Sequence, residues 1–293
     1  MTSFLRILVE QCVKICFLSF LTLSQAADFH SPRTDALGGA GHASPLLSDS
    51  LYLNPSFLSY NYTHALIFNY LLYDFKNPVD PVSNLSSKGK NFNISVVDGT
   101  KEALFQAGVG YTKREDARFL HLVASKSLLE RLSIGMGTKV IFPQANRTRL
   151  LDTYLSASLL ASSWFQASLI ADNLFQSALS LGLNRQYTLG TKFNVMTIIF
   201  LYLDPHWISQ PLPEFNQKNF GYQAGIEFPF MEQLFLRAGK FHNSTIPYQG
   251  QSGDGYGVGV GWLAPKLLLE YSLSQVTSGI LGYSHTFGIG IYF

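Results

Sequence analysis

Cysteine and charge are both scarce in this sequence. Its two cysteines, Cys12 and Cys16, lie within the first sixteen residues, so a chain that loses its N-terminus can form neither a disulfide nor a thiolate metal site. Charged residues make up only 14% of the chain, and the net charge is +2. No basic cluster or recognised motif accompanies that charge, so we expect no nucleic-acid partner. Beyond the N-terminus, no apolar stretch is long enough for a membrane-spanning helix.

The N-terminus has the composition of a secretory signal. Arg6 and Lys14 precede the apolar run 15–23, and residues 24–27, Ser-Gln-Ala-Ala, form a small-residue cleavage site. The apolar run is too short to span a bilayer, and no cysteine follows it where a lipoprotein would need one. We therefore expect residues 1–26 to be a signal peptide. The remaining length, about 267 residues, is enough for one large β domain.

Aromatic residues and glycine are abundant, with 23 Phe, 15 Tyr and 24 Gly. In residues 280–293, large apolar residues alternate with small or polar ones up to the C-terminal Phe293. Alternate residues of a strand face opposite sides, so one face of this segment is apolar. Residues 220–230 and 255–263 alternate in the same way, and their second face consists mostly of Gly, Ser and Gln. Small neutral side chains favour an enclosed interior over a solvated surface.

Alternating segments of about nine to twelve residues, the length that a tilted strand needs to cross a membrane, recur from about residue 60. Long polar loops such as 204–219 and tight turns such as 231–233 follow them in turn, as in a membrane barrel. Segments 91–98 and 178–184 fit least well, so twelve strands is the alternative to fourteen. The predicted strands are 63–74, 91–98, 103–112, 119–126, 132–142, 151–160, 164–173, 178–184, 192–203, 220–230, 234–242, 255–263, 267–274 and 280–293.

These patterns predict an all-β fold, a transmembrane antiparallel up-and-down β-barrel of about fourteen strands over residues 62–293. Residues 27–61 have no strand period and are rich in Gly, Ser and Pro. They form either a loose leader or a plug (hatch) folded into the barrel mouth. Glycines on the inner face of 255–261 indicate either barrel curvature or the close approach of another backbone.

The N-terminal segment resembles the signature of the FadL-type outer-membrane transport family. That family carries a Gly-Gly-Ala segment, an acidic residue and then Asn-Pro-Ala-Gly-Leu; Ser56 and Phe57 replace the Ala-Gly here. Blocks at 122–141, 170–174, 222–241 and 282–287 resemble the shorter PorV-type relatives in the same order. The residues that match the plug signature are Gly38, Gly39, Ala40, Asp49, Asn54 and Pro55.

The resemblance implies a fourteen-stranded barrel in the bacterial outer membrane with an N-terminal plug. It also implies either passage of hydrophobic molecules or a role as a non-channel partner of other proteins. The chain is shorter than a typical fatty-acid transporter, so its outer loops and plug must be reduced. That difference weakens the expectation of a full fatty-acid site.

Two predicted strands, around 65–74 and 195–203, are apolar on both faces. The inner face of such a strand must be buried against something other than water. It packs either on the plug or against a hydrophobic ligand, since ligand sites are mostly apolar. We predict a ligand-binding patch in the lumen formed by Phe68, Tyr70, Leu72, Met196, Ile198 and Phe200.

Glu227 and Arg237 flank one tight turn and are predicted to pair in the lumen, either as a structural ion pair or as a gating or head-group site. The seven histidines have neither metal spacing nor a Gly-x-Ser-x-Gly partner. Ser284 and His285 are adjacent in a strand, so their side chains point to opposite faces. We therefore expect no catalytic residue, metal or cofactor.

Two functions remain open from the sequence. The first is passive uptake of small hydrophobic compounds, as in long-chain fatty-acid transporters. The second is a PorV-type non-channel barrel that acts as scaffold or shuttle for other envelope proteins through its outer loops. A non-specific porin is disfavoured because the lumen-facing positions carry few charges. Expected partners are outer-membrane lipid, a hydrophobic small molecule or fatty acid and, for the second function, envelope proteins.

Overall fold

The computed structural model describes residues 29–76, 86–101, 103–145, 148–196, 198–231 and 233–293. The predicted signal peptide, residues 1–26, lies outside the described residues. In the parts of the chain that are described, no helix is long and apolar enough to cross a membrane.

Fourteen antiparallel strands follow one another around a closed barrel, and β1 pairs with β14 to complete the ring. The predicted strand count of fourteen is therefore confirmed. The strands are β1 Ala65–Lys76, β2 Ser86–Asp98, β3 Gln106–Lys113, β4 Ala117–Leu129, β5 Leu132–Pro143, β6 Leu150–Leu159, β7 Phe165–Asp172, β8 Gln186–Val195, β9 Ile199–Ile208, β10 Phe220–Phe230, β11 Leu234–Thr245, β12 Ser252–Ala264, β13 Leu267–Ser278 and β14 Gly282–Tyr292.

The two ends of the barrel differ in the length of their connections. At one end, which we call the short-turn end, connections such as residues 265–266 and 130–131 are two residues long. At the other, the long-loop end, the connections include residues 173–185 and 209–219. The first and last strands meet at the short-turn end, where Ala65 lies opposite Tyr292. This asymmetry is the arrangement of outer-membrane barrels, whose long loops lie on the extracellular side.

Burial alternates along the strands, as the sequence pattern predicts. In β1, Ala65, Ile67 and Leu71 are buried while Leu66 and Leu72 are exposed. Because the side-chain period of a strand is two, one parity faces the lumen and the other the surroundings. The outer face is apolar around the ring, with exposed side chains that include Ile94, Val109, Leu122, Leu151, Leu189, Val258 and Ile289.

Two of the predicted strands are wrong in position. Residues 178–184 are not a strand but belong to a long loop that contains the 3₁₀ helix Leu179–Leu181. Ala178 and Leu183 of this loop pack against Phe119 in the lumen, so their apolar character reflects burial of a loop. The predicted strand 192–203 joins the end of β8 to the start of β9, across the tight turn that contains Met196 and Ile198.

Residues 29–60 lie inside the barrel, and we call this segment the plug. It contains helix α1 Pro32–Ala36, helix α2 Asp49–Leu53 and the 3₁₀ helix Pro55–Tyr60. Helix α1 contacts strands β11 to β14, whereas the 3₁₀ helix contacts β4, β5 and β6. The plug therefore touches the wall on opposite sides of the lumen.

Glycines of the wall make room for the plug. A side chain at Gly257 would meet the backbone of Asp35, and one at Gly239 would meet the backbone of Leu37. On the opposite wall, Gly135 faces the backbone of Ser56. Of the two interpretations of the glycine face, the close approach of another backbone applies at these positions.

Candidate functional site

The Gly-Gly-Ala segment forms a sharp bend inside the lumen, close to the barrel wall. Gly38 and Gly39 have φ values of 66° and 87°, a region of backbone conformation that favours glycine. A side chain at Gly38 would also meet the backbone of Lys240, and one at Gly39 would meet the side chain of Gln223. Ala40, which follows, is fully buried. The bend can approach the wall because its first two residues have no side chain.

A carboxylate of the wall holds the chain that leaves this bend. The backbone N–H groups of Gly41 and His42 donate to Asp204 Oδ2 over 2.8 and 2.9 Å. His42 Nδ1 lies 2.9 Å from the same oxygen, and the N–H of Thr191 donates to Oδ1 over 3.0 Å. Asp204 has no exposed surface, so these donors replace the water that a buried carboxylate would otherwise require. No local pattern in the sequence indicates this contact, because Asp204 is 162 residues away from His42.

Asn54 and Pro55 fix the second half of the plug. Asn54 Nδ2 donates to the backbone oxygen of His42 over 2.7 Å and to Ser158 Oγ over 2.8 Å. Ser56 Oγ in turn donates to Asn54 Oδ1 over 2.6 Å. Pro55 begins the 3₁₀ helix, where its fixed φ suits the first position. Ser56, which departs from the family signature, thus supports the Asn54 side chain.

Asp49, the acidic residue of the signature, is buried in helix α2. The same helix contributes Leu51 and Tyr52 to an apolar cluster with Val97 and Val123 of the wall. Tyr154 Oη donates a short hydrogen bond to the backbone oxygen of Leu51. The six signature residues therefore all lie buried inside the barrel.

A network of buried charges joins helix α1 to the barrel wall. Glu227 Oε2 accepts from Arg237 Nε over 2.6 Å and from Arg33 Nε over 3.1 Å. Arg237 also donates to Glu270 Oε1 over 2.6 Å, and Tyr202 Oη donates to Glu227 Oε1 over 3.0 Å. All four charged side chains are at most 5% exposed. We call this set the latch network, because Arg33 belongs to the plug and the others to the wall.

The latch network contains two positive and two negative groups, so its formal charge is balanced. Each partner is essential to that balance, since a buried charge without a partner carries a large desolvation cost. The sequence predicted a pair between Glu227 and Arg237, which the register places directly opposite each other on β10 and β11. It missed Arg33, which is 194 residues from Glu227 and carries no local signal of the contact.

Three residues of the predicted lumen patch lie instead on the outer face of the barrel. Phe68 and Leu72 are each 41% exposed, and Tyr70 shares their side of β1. The opposite parity of β1 faces the plug, since Asn69 packs beside Gly288 and Pro32. Both parities of this strand are apolar, so alternation alone could not determine which one faces inward.

Two more patch residues lie at the short-turn end. Met196 is 84% exposed in the turn between β8 and β9, and Ile198 is 52% exposed in the same turn. Phe200 alone of the six faces the lumen, where it packs against Leu37, Ala40 and Tyr202. The predicted patch is thus corrected to this single contact with the Gly-Gly-Ala bend.

One apolar cluster of the lumen lies towards the long-loop end. We call it the mouth cluster; its buried residues are Leu71, Tyr73, Phe75, Phe241, Ile246, Tyr248, Val276 and Ile280. Tyr248 forms the centre of its aromatic part, with ring centroids 5.6 Å from Phe75 and 6.0 Å from Tyr73. Leu71 and Tyr73 lie on the face of β1 opposite to Phe68, Tyr70 and Leu72, the residues predicted to bind a ligand.

Two small cavities separate the plug from the mouth cluster. One lies between His30, Gly38 and Phe241, and the other between Phe29, Leu71 and Asn91; each has a volume of about 10 Å³. Ile246 and Pro247 line both. Packing between plug and wall therefore leaves two small gaps beside Ile246 and Pro247, and we call this line of contact the seam. Among the described residues, no group of three His, Cys, Asp or Glu side chains could hold a metal ion.

The fold and the lumen define a class of protein: a closed antiparallel barrel of fourteen strands whose interior is filled by its own N-terminal segment. Solved structures that share this architecture include hydrocarbon channels and transporters and a FadL homologue. CymD, a monoaromatic hydrocarbon channel, superposes with a TM-score of 0.65 at 11% identity over 91% of this chain and 97% of its own.

The toluene transporter TbuX of Ralstonia pickettii gives a TM-score of 0.66 at 8% identity, over 91% of this chain and 99% of its own. A FadL homologue of Pseudomonas aeruginosa gives 0.63 at 12% identity, over 92% and 99%. Comparison with protein-family models gave no match, and neither did comparison with curated protein sequences. At these identities the likeness establishes the FadL-like fold that the plug signature implied.

Proposed function

We propose that this protein is an outer-membrane barrel for the passive uptake of small hydrophobic compounds. The apolar outer face and the absence of any free edge suit a barrel surrounded by lipid. The short-turn end would then face the periplasm and the long-loop end the outside. The solved structures with this fold include a monoaromatic hydrocarbon channel and a toluene transporter.

The mouth cluster is the observation that carries this proposal. It places a buried aromatic and aliphatic surface at the long-loop end, next to the seam, where two small cavities lie between plug and wall. A small apolar molecule would enter among Tyr73, Phe75 and Tyr248 and then follow the seam past Ile246 as the plug shifts. Entry of this kind is favourable because it removes apolar ligand surface from water.

The charged groups of the lumen disfavour the passage of ions. The latch network pairs its charges internally, and Lys139 Nζ lies 2.6 Å from Asp172 Oδ1. Charges that are paired with one another inside a filled lumen are not available to bind a hydrated ion. This arrangement supports a hydrophobic substrate and disfavours a general porin.

An uptake assay with a variant of Ile246 tests the proposal. Cells producing the protein should accumulate labelled toluene or a labelled long-chain fatty acid faster than cells without it. Ile246→Trp should fill the seam and reduce this rate at least about tenfold, whereas Leu281→Trp, a substitution of an exposed residue at the same end, should leave it unchanged. Equal uptake with and without the protein would refute the function, and full uptake by Ile246→Trp would refute the route.

The filled lumen favours a second candidate function, that of a non-channel scaffold or shuttle for other envelope proteins. Cavities of about 10 Å³ are far smaller than any hydrophobic substrate, so a plug that never moves would make the barrel a docking partner. This function predicts that envelope proteins co-purify with the barrel through its long loops. It also predicts that no labelled hydrocarbon is taken up.

A further inference from the structure

A groove on the outer wall lies at the long-loop end, where β3 and β5 end and β4 begins. It is open and has a volume of about 640 Å³. Arg118 alternates with the buried residues Ala117 and Phe119, so its side chain points away from the lumen. The side chains that line the groove include Tyr111, Arg118, Phe142, Gln144, Thr148 and Arg149.

Cations and aromatic rings alternate across this part of the wall. Arg118 is the register partner of Phe142 on β5 and of Lys113 on β3. The guanidinium of Arg149 lies 5.9 Å from the centre of the Phe142 ring. Lys113 Nζ lies 5.9 Å from the Phe92 ring on the next strand. The groove therefore presents a positive surface supported by flat aromatic faces.

The two nearby carboxylates bind partners other than the arginines of the groove. Glu115 accepts a hydrogen bond of 2.8 Å from Tyr73 Oη of the mouth cluster. Asp116 is bound by Arg114 through two contacts of 2.9 and 2.5 Å. Neither Arg118 nor Arg149 forms an ion pair with any residue that the structure describes. Both guanidinium groups are exposed, and their charge is available to an anion.

Apolar side chains continue the groove towards the middle of the barrel wall. Val109 and Leu122 are register partners on β3 and β4, and Val140 and Leu151 are partners on β5 and β6. Val109, Leu122 and Leu151 are among the most exposed apolar side chains of this face. A molecule with an anionic head and acyl chains would match the groove and this apolar surface together.

The geometry points to a binding site for the phosphorylated sugar headgroup of a membrane glycolipid in the leaflet at the long-loop end. Guanidinium groups bind phosphate through paired, charge-assisted hydrogen bonds. Gln144 can bond sugar hydroxyls, and the rings of Tyr111 and Phe142 offer surfaces for the sugar. The groove, with its volume of about 640 Å³, is larger than a phosphate group by itself would occupy. The inference rests on the proposed membrane placement but not on the transported substrate.

Lipid binding by the detergent-purified protein, measured by native mass spectrometry, tests this site. The probes are diphosphorylated lipid A, its dephosphorylated form, phosphatidylglycerol and inorganic phosphate. The test variant is the double substitution Arg118→Gln and Arg149→Gln. Its control is Lys218→Gln with Lys240→Gln, which removes two exposed charges elsewhere on the barrel.

The double arginine variant should bind diphosphorylated lipid A at least about tenfold more weakly than the wild type, and the lysine control should bind within about twofold of it. The wild type should prefer the diphosphorylated lipid to the other three probes. Equal losses in both variants would mean general charge attraction and overturn the site, as would equal affinity for phosphatidylglycerol or for inorganic phosphate. Hydrocarbon uptake measured in the same variants separates this result from the proposed function.

Discussion

Replacing Glu227 with glutamine should loosen the plug. The substitution removes one of two negative charges from the latch network and leaves Arg33 without a carboxylate partner. Removal of one member of a buried ion pair costs about 3–5 kcal/mol. We expect the lower end, about 3 kcal/mol, because glutamine keeps a hydrogen-bond acceptor and Arg237 retains Glu270. A free-energy change of that size raises the fraction of molecules with a displaced plug about 100-fold.

A single cysteine in helix α1 reports this displacement. Ala36 has no exposed surface, and both natural cysteines precede residue 17, so an Ala36→Cys protein without the first 26 residues has one buried thiol. When opening and closing are faster than modification, the labelling rate follows the open fraction. The rate of labelling by a small thiol reagent should therefore rise about 100-fold in the Glu227→Gln background.

Two further variants decide between loss of the latch and a general effect of charge. Glu130→Gln makes the same chemical change in an exposed turn and should leave the labelling rate unchanged. Adding Arg33→Met to Glu227→Gln removes the uncompensated positive charge and should lower the rate again. A Glu227→Gln protein that labels within about twofold of its parent would refute a role of the latch network in holding the plug.

Three other outcomes follow from the same geometry. Gly39→Val should reduce the yield of folded barrel seen as an electrophoretic mobility shift, because the φ of 87° and the side chain of Gln223 leave no room for valine; a normal yield would contradict the tight bend. Phe68→Arg should destabilise the barrel by about 2–4 kcal/mol in urea unfolding from lipid vesicles, because the new arginine would face lipid. An unchanged stability would contradict the outward direction of Phe68. Burial by itself would raise the pKa of the Asp116 carboxyl. The guanidinium of Arg114 outweighs this effect and holds that pKa below its usual range. The pair therefore stabilises the protein fully above the unfolded-state pKa. The stability difference between wild type and Asp116→Asn should begin to shrink as the pH falls below about 4 and should be lost once the pH falls through the lower pKa of the folded state.

The barrel could be predicted from the sequence because the patterns that indicate it involve only residues close together in the chain. Alternation with a period of two follows from strand geometry at each residue, and tight turns mark where the chain reverses. The pair between Glu227 and Arg237 was predictable for the same reason, since the short turn after β10 places the two residues opposite each other. Segment 178–184 misled the prediction because a loop buried in the lumen is as apolar as a strand.

The direction in which each face points was decided only by the tertiary structure. Both parities of β1 are apolar, and the plug makes Leu71 an inward residue and Phe68 an outward one. The anchors of the plug, Asp204 and Glu227, lie more than 160 residues from the groups that they bind. Such contacts form only when the ring closes around the N-terminal segment, and hydrogen bonds between distant residues leave no periodic trace in the sequence. Local periodicity thus determined the strands, and closure of the barrel determined the contents of the lumen.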